Sequence, residues 1–215
     1  MLKKIKLRNT LIFIFVFLFS VFLYIAFLKS PYFSFMEGWI SKNRLKYIFF
    51  LLIFKIISVL WPPLTGGVAT LGSIPFLGWK LAYFVDFLGS MIGGVITYHL
   101  GKKYGYAILS KFFNEDVIEK IKKIKVKKKR EIEAVFVYRI LFGTTILEAI
   151  YYGAGVLNIR FSNFMLGAAF SHLAVGVPTY LLTRNILESK SVFLTLLSIL
   201  IAVPFFFLFK KRHFE

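Results

Sequence analysis

Long stretches without a charged residue are the feature that most constrains the fold of this chain. Thr10–Leu28 and Ser191–Phe209 are both 19-residue stretches of this kind, rich in Phe, Leu, Ile and Val. A helix that crosses a bilayer needs about 20 consecutive apolar residues. The whole chain is 58% apolar and 18% charged, whereas soluble domains are about 45–50% apolar and about 25% charged. The sequence therefore predicts an all-α polytopic membrane protein.

The composition and motifs exclude several kinds of site. The chain has no cysteine, which rules out disulfides and cysteine-based metal, redox or nucleophile sites. The sequence lacks GxSxG, P-loop and HExxH motifs. His99 and His172 have no second metal ligand nearby in sequence, so we expect a polar packing role for both. We expect no enzyme activity, no cofactor and no metal site.

Pro and Gly interrupt an apolar segment at residues 47–78. Pro removes a hydrogen-bond donor and Gly is conformationally permissive, so a regular helix cannot continue through Pro62-Pro63 and Gly66-Gly67. Broken backbone at membrane depth is tolerated where it is buried in protein or lines a watery cavity. We therefore interpret residues 47–78 as a re-entrant helical hairpin.

A second segment, residues 134–155, also places polar and small residues within apolar sequence. We interpret it as a second re-entrant hairpin, which enters from the cytoplasmic side, opposite to the first. The predicted fold is thus two inverted units of a re-entrant hairpin and a helix, flanked by N- and C-terminal transmembrane helices. Paired broken segments in corresponding positions of two halves point to a transporter-like site at their interface. The polar and small residues at issue are Arg139, Glu148, Tyr151, Tyr152, Gly153 and Gly155.

A span follows each hairpin, at Lys80–Leu100 and at Phe161–Thr183. The first carries small residues four positions apart, a spacing that lets helix backbones approach closely. We expect hairpin or packing roles for the Pro and Gly residues of this region. They are Pro62, Pro63, Gly66, Gly67, Gly89, Gly93, Gly94, Gly101, Gly105, Gly153 and Gly155.

The distribution of Lys and Arg predicts the orientation in the cell membrane. Residues 101–133 hold eleven Lys or Arg and five acidic residues, and basic residues also flank the two terminal stretches. By the positive-inside rule both termini and this basic loop are cytoplasmic. The predicted organisation is residues 1–46 for the N-terminal helix and linker, 47–183 for the membrane core, and 184–215 for the C-terminal helix and tail.

The net charge of +18 raises the question of a nucleic-acid partner. The block Lys120–Arg130 has eight basic residues and no acid, but no aromatic residues are interleaved with them. Stacking platforms of that kind are typical of single-strand binding, so nucleic acid is not expected. Anionic headgroups attract such a cluster beside a membrane by about 1 kcal/mol per residue.

Several motifs resemble the DedA/VTT superfamily, also called the SNARE-associated Golgi protein group. The resemblance covers about residues 48–182 and is closer to the VTT branch, because Gly93-Gly94-Val95 stands where DedA proteins have an Asp. It implies two re-entrant loops that face each other, and a role in moving lipids or polyprenyl-phosphate carriers between leaflets. The motifs are Pro62-Pro63, Gly66-Gly67, Gly89, Gly93-Gly94, Tyr98–Gly105, Arg139, Glu148–Gly155, Phe161, Phe164, Gly167 and Pro178.

The ionisable residues at predicted membrane depth are candidate substrate-binding residues. A charge at the centre of a spanning helix costs at least about 2.5–3.5 kcal/mol. Arg139 either grips a lipid phosphate with its planar guanidinium or forms a structural ion pair with Glu148. In the first case Glu148 is a proton-sensitive group or a counter-charge. Asp86 and Lys55 are expected either at the site or snorkelling to an interface.

Tyr151 and Tyr152 complete the candidate site residues. Three roles are open to them, namely an interfacial aromatic belt, a packing pair, or contacts with a lipid headgroup.

The leading functional hypothesis is movement of lipids or lipid-phosphate carriers between leaflets, as by a flippase or scramblase. The expected partners are anionic or phosphate-bearing membrane lipids and not nucleic acid, with homo-oligomerisation left open. One alternative is a secondary transporter of a small anion or a proton-coupled solute. Another is a non-transporting membrane-homeostasis protein whose basic loop docks a partner or anionic lipid.

Overall fold

The computed structural model describes residues 26–27, 29–62, 64, 66–124, 126–141 and 147–188. The regular elements in these residues are all helical, which confirms the all-α class. Pro63, nearly all of the predicted helix at 10–28 and all of that at 191–209 lie outside the described residues. The chain divides into two compact units after Tyr47.

Short connections link the helices in chain order. The first unit holds α1, and the second unit begins within α2 at Ile48. The helices are α1 (Pro31–Lys42), α2 (Arg44–Leu60), α3 (Gly66–Gly72), α4 (Ile74–Leu77), α5 (Trp79–Tyr104), α6 (Tyr106–Phe112), α7 (Glu115–Lys123), α8 (Glu131–Leu141), α9 (Leu147–Val156) and α10 (Phe161–Glu188), with a 3-10 turn at Lys128–Arg130.

Two of the described helices, α5 and α10, are long and apolar enough to cross a membrane. The spanning stretch has 26 residues in α5 and 27 in α10. At about 1.5 Å per residue each reaches about 40 Å, more than the roughly 30 Å of a hydrocarbon core. They coincide with the two spans predicted after the hairpins.

The polarity of α5 and α10 is the reverse of that in a soluble protein. Five of their polar side chains are buried in the protein interior, while many of their large apolar side chains are about half exposed. Soluble proteins rarely expose apolar surface on this scale, whereas lipid accepts it. The buried polar residues are Asp86, Ser90, Thr97, Ser171 and His172, and the exposed apolar ones include Phe84, Ile92, Leu166, Phe170 and Leu173.

The first broken segment consists of a long helix followed by two short ones. The long helix α2 ends at Leu60, directly before the Pro-Pro pair, and α3 begins at Gly66. Gly78 has a φ of +77°, which Gly adopts readily, and it forms the turn between α4 and α5. The break is present, and the return of each segment to the membrane face from which it entered stays a prediction.

Glycines allow α9 to pack directly against α5. A Cβ atom on Gly101 would meet the backbone carbonyl of Tyr152, and one on Gly155 would meet that of Tyr98. The two backbones therefore approach as only Gly permits. Of the other predicted packing glycines, Gly66, Gly89 and Gly93 lie against side chains of α2, Gly94 and Gly153 make ordinary contacts, and Gly67 and Gly105 face open space.

Residues 101–133, expected as a soluble basic loop, are mostly helical and partly buried. The chain continues α5 to Tyr104 and then forms α6 and α7. The count of basic residues concealed the apolar side of α7, where Ile118 and Ile121 are three residues apart on one face and both buried. They pack in one cluster with Leu109, Ala149 and Tyr152. The basic segment is thus anchored to α9.

We expect Ile121→Ser to release α7 from α9, because Ile121 is only 4% exposed and its apolar contacts would be lost. Losing such a side chain typically costs about 2–5 kcal/mol. Limited trypsin digestion of the solubilised protein measures the effect, and cleavage within the basic segment should become about tenfold faster. The control is Ala107→Ser on the exposed side of α6. Equal cleavage of the two variants would contradict the anchoring.

Candidate functional site

A buried cluster of ionisable side chains lies where α2, α5 and α10 meet. Lys55 Nζ lies 2.8 Å from Asp86 Oδ1, and His172 Nε2 lies 3.1 Å from Asp86 Oδ2. The three residues are between 6% and 8% exposed. The carboxylate of Asp86 thus uses both oxygens to join the first half of the chain to the second.

Two hydroxyl groups extend this cluster. Thr70 Oγ1 lies 2.8 Å from Asp86 Oδ1, to which it donates a hydrogen bond. Ser90 Oγ lies 3.3 Å from His172 Nε2. An ionised carboxylate accepts hydrogen bonds at about four lone-pair positions, so Asp86 can serve the lysine, the threonine and the histidine together. Hydrogen bonds to a charged group are stronger than neutral ones, and they hold the four helices in register.

Glycines make the space through which Lys55 reaches Asp86. The aliphatic stem of Lys55 lies against Gly89 of α5 on one side and approaches Gly66 of α3 on the other. Asp86, Gly89 and Ser90 share one face of α5, because residues three and four apart are neighbours on a helix. Small residues at this face therefore admit the lysine stem.

Aromatic rings enclose the histidine of the cluster. The rings of Tyr83 and Phe87 lie 5.6 and 5.4 Å from the imidazole of His172, measured between centroids. The Nδ1 atom of His172 is buried and has no hydrogen-bond partner within the described part of the chain. An unpaired buried polar atom costs about 1–3 kcal/mol, so this nitrogen is a ready contact for a polar group that enters the cluster.

Arg139 is buried between α9 and α10. Its Nη1 donates a hydrogen bond of 2.6 Å to the carbonyl oxygen of Ala168. Its guanidinium carbon lies 5.0 Å from the ring centroid of Tyr151, a cation–π contact. Because Arg139 is only 6% exposed, a lipid phosphate would reach it only after α9 or α10 shifts.

Glu148 lies near Arg139 but forms no ion pair with it in the described residues. It is partly exposed, and both Lys55 and Arg139 are close enough to interact with it electrostatically. The ion pair considered from the sequence is therefore not formed. Tyr151 and the carbonyl of Ala168 hold Arg139 instead.

Two of the alternatives that the sequence left open are excluded. Lys55 and Asp86 do not snorkel to an interface, because each neutralises the other inside the protein. Tyr151 and Tyr152 are 0% and 1% exposed, so they do not form an aromatic belt. The hydroxyl of Tyr152 donates a 2.8 Å hydrogen bond to the carbonyl of Leu60, the last residue of α2.

Sequence reasoning missed the pairing of Lys55 with Asp86 and the part played by Thr70 and His172. One signal was present, because a single cation and a single acid occupy two neighbouring apolar segments and charges at that depth pair with one another. No group of His, Cys, Asp or Glu side chains that could hold a metal ion occurs in the part of the chain that the structure describes.

Comparison with known proteins places this cluster mostly within a recognised domain. A profile of the VTT domain matches residues 61–185, which include Asp86, Arg139 and His172 but not Lys55. The chain is 34% identical over 98 residues to an uncharacterized protein of Methanocaldococcus jannaschii. That alignment covers 45% of this chain and 58% of the archaeal protein. No solved structure shows a significant match.

Proposed function

Because the chain belongs to the VTT domain family, whose members are membrane-associated, we propose that it moves lipids or lipid-phosphate carriers between leaflets. The observation that carries this proposal is the buried cluster of Lys55, Asp86 and His172. It lies against the two helices that are long enough to span a membrane. A lipid that changes leaflet must bring its polar headgroup through apolar surroundings, and such a cluster offers polar contacts there.

The position of the cluster supports a path between the two broken segments. Lys55 and Thr70 of the cluster come from the first segment, and Arg139, which is close enough to His172 to interact with it electrostatically, comes from the second. Transporters built from paired broken segments bind their substrates where the two segments meet, near the bilayer midplane. We infer that both segments are re-entrant and that the headgroup passes between them while the acyl chains stay in the bilayer.

The chemistry of the cluster suits a phosphate group. Lys55 and Arg139 are two buried cations, and the guanidinium of Arg139 is held by a neutral carbonyl oxygen, a weaker ligand that a phosphate can replace. In this mechanism the phosphate displaces the carbonyl of Ala168 from Arg139, while Lys55 and His172 keep their contacts with Asp86. Glu148 supplies a counter-charge beside both cations.

A leaflet-exchange assay in proteoliposomes tests the proposal. Vesicles carry the full chain and a trace of fluorescent phosphatidylglycerol, phosphatidylcholine or a prenyl phosphate, and dithionite bleaches only the outer leaflet. We expect dithionite to remove clearly more than half of the total fluorescence for at least one of these lipids, because lipid from the inner leaflet then reaches the outer one. Exchange no faster than in protein-free vesicles for all three would refute it. Passage of phosphate or protons without lipid exchange would favour the small-anion or proton-coupled alternative.

Arg139→Gln separates a transport role from a structural one. We expect it to slow leaflet exchange by about 10-fold or more, because charge-assisted hydrogen bonds contribute about 1.5–3 kcal/mol. The fold should survive, since Ser171 Oγ also donates to the carbonyl of Ala168 at 2.9 Å. The exchange rate of Arg139→Lys should lie between those of Arg139→Gln and the wild type, because lysine keeps the positive charge but lacks the planar guanidinium.

Lys111→Gln is the matched control, since Lys111 is exposed on α6 and loses the same charge. It should exchange lipid at the wild-type rate. The melting temperature of Arg139→Gln is measured beside its exchange rate. If the variant is unfolded under the conditions of the exchange assay, the loss of exchange reflects a structural role for Arg139, and the transport role is wrong.

A further inference from the structure

An open cleft lies between the 3-10 turn, α8 and the first half of α10. Its volume is about 1290 Å³, larger than the roughly 300–1,000 Å³ of pockets for drug-sized ligands. It is lined by different residues from those of the Lys55–Asp86–His172 cluster. Its walls are formed by Lys128–Glu133, Phe136, Arg160, Asn163, Phe170, Leu173 and Ala174.

One end of the cleft is cationic. Lys128, Lys129 and Arg160 are exposed and have no ion-pair partner among the residues that the structure describes. Arg130 differs, because it lies 3.9 Å from the carboxylate of Glu133 on the protein surface. Three cations at this end therefore remain available to an anion.

The remaining acid of the cleft, Glu131, is turned into its wall. Glu131 is 6% exposed, and its Oε2 accepts hydrogen bonds of 2.7 Å from Asn163 Nδ2 and 3.2 Å from the backbone N–H of Arg160. These bonds fix the backbone of Arg160 directly before α10, and they satisfy the carboxylate of Glu131 inside the protein, away from the open cleft. Glu131 thus positions the cationic end.

The other end of the cleft is apolar. Phe136 of α8 and Phe170 and Leu173 of α10 line it, and the last two are 53% and 46% exposed. Ten residues of α10 separate Asn163 from Leu173, which is a rise of about 15 Å. This distance is half of the roughly 30 Å hydrocarbon core. The cleft therefore has the polarity and the length of one lipid in one leaflet.

We propose that this cleft is a binding site for one anionic glycerophospholipid. The phosphodiester headgroup binds Lys128, Lys129 and Arg160, and an acyl chain lies against Phe170 and Leu173. The site holds a lipid independently of leaflet exchange, so it goes beyond the transport function proposed above. It stands even if the buried cluster carries a different substrate.

Direct binding of lipid to the full chain in detergent tests the site. Acyl-labelled phosphatidylglycerol is titrated by fluorescence at physiological salt, with acyl-labelled phosphatidylcholine as the uncharged comparison. We expect phosphatidylglycerol to bind at least about tenfold more tightly. The triple variant Lys128→Gln/Lys129→Gln/Arg160→Gln should weaken phosphatidylglycerol binding by about 10- to 100-fold, because each cation near a membrane contributes about 1 kcal/mol.

The matched control removes three exposed cations outside the cleft, as Lys102→Gln/Lys103→Gln/Lys111→Gln. It should change the affinity less than about threefold. Leu173→Asn tests the apolar end, and it should weaken the binding of both phosphatidylglycerol and phosphatidylcholine. Equal losses in the two triple variants would show diffuse charge attraction and overturn the site. Displacement of the lipid by millimolar inorganic phosphate would also overturn it, since free phosphate would then suffice as the ligand.

Discussion

Lys55→Met is expected to lower the melting temperature of the solubilised protein by about 6–20 °C. The change leaves the carboxylate of Asp86 buried without its cation, and breaking a buried pair in this way costs about 3–5 kcal/mol. For a chain of this size about 1 kcal/mol corresponds to about 2–4 °C. Loss of the monodisperse chromatographic peak after heating measures the shift.

A second substitution on the other partner sharpens this test. Lys55→Met/Asp86→Leu should recover much of the lost stability, because replacing a whole buried pair by apolar residues is often neutral or stabilising. The recovery measures the coupling between the two side chains. Lys123→Met is the control, since Lys123 and its partner Glu119 are 79% and 65% exposed and such pairs contribute about 0.3–0.5 kcal/mol. Similar falls in melting temperature for Lys55→Met and Lys123→Met would show that the buried pair is not stabilising.

Gly155→Ala should separate α9 from α5. The new Cβ atom would meet the carbonyl of Tyr98 and the amide nitrogen of Lys102. Both are backbone atoms, which cannot rotate away as a side chain does, so the helices themselves must move. Overpacking costs about 1–3 kcal/mol and occasionally more. We expect the melting temperature to fall by about 2–12 °C, with a similar fall for Gly101→Ala, which meets the carbonyl of Tyr152.

Gly67→Ala is the matched control for the glycine contact. Gly67 lies within α3, and a Cβ atom there would have no neighbour within 4 Å. Because Ala favours helix over Gly by about 1 kcal/mol, this change should leave the protein unchanged or slightly more stable. If Gly155→Ala is as harmless as Gly67→Ala, the close approach of α5 and α9 is wrong.

The sequence was sufficient to predict the elements that depend on composition along the chain. An apolar stretch of membrane length identifies α5 and α10, and the Pro and Gly residues at 62–67 predict where α2 ends. Both signals are local, so no knowledge of the neighbouring helices is needed. The family followed from motif order, and the domain match at residues 61–185 confirms it.

Contacts between helices could not be predicted in the same way. The sequence places Lys55 and Asp86 in different apolar segments, but it does not give the rotation and depth of one helix against another. Those depend on Gly66 and Gly89, whose missing side chains admit the lysine stem. For the same reason Glu148, nine residues beyond Arg139, was a plausible partner from spacing alone, whereas Arg139 contacts Ala168 of another helix.

Two tyrosine hydroxyls form a reciprocal pair of contacts with mechanical consequences. Tyr152 of α9 binds the carbonyl of Leu60 at the end of α2, and Tyr98 of α5 binds the carbonyl of Ile159 just beyond α9. Each half of the domain therefore satisfies a carbonyl of the other half. The carbonyl of Leu60 lies in the last turn of α2, where helix geometry leaves it without an internal partner, and that of Ile159 lies in the connection before α10. Leaving such a carbonyl unpaired costs about 1–3 kcal/mol. Spreading the halves would uncover both carbonyls together, so the two tyrosines oppose separation of the halves.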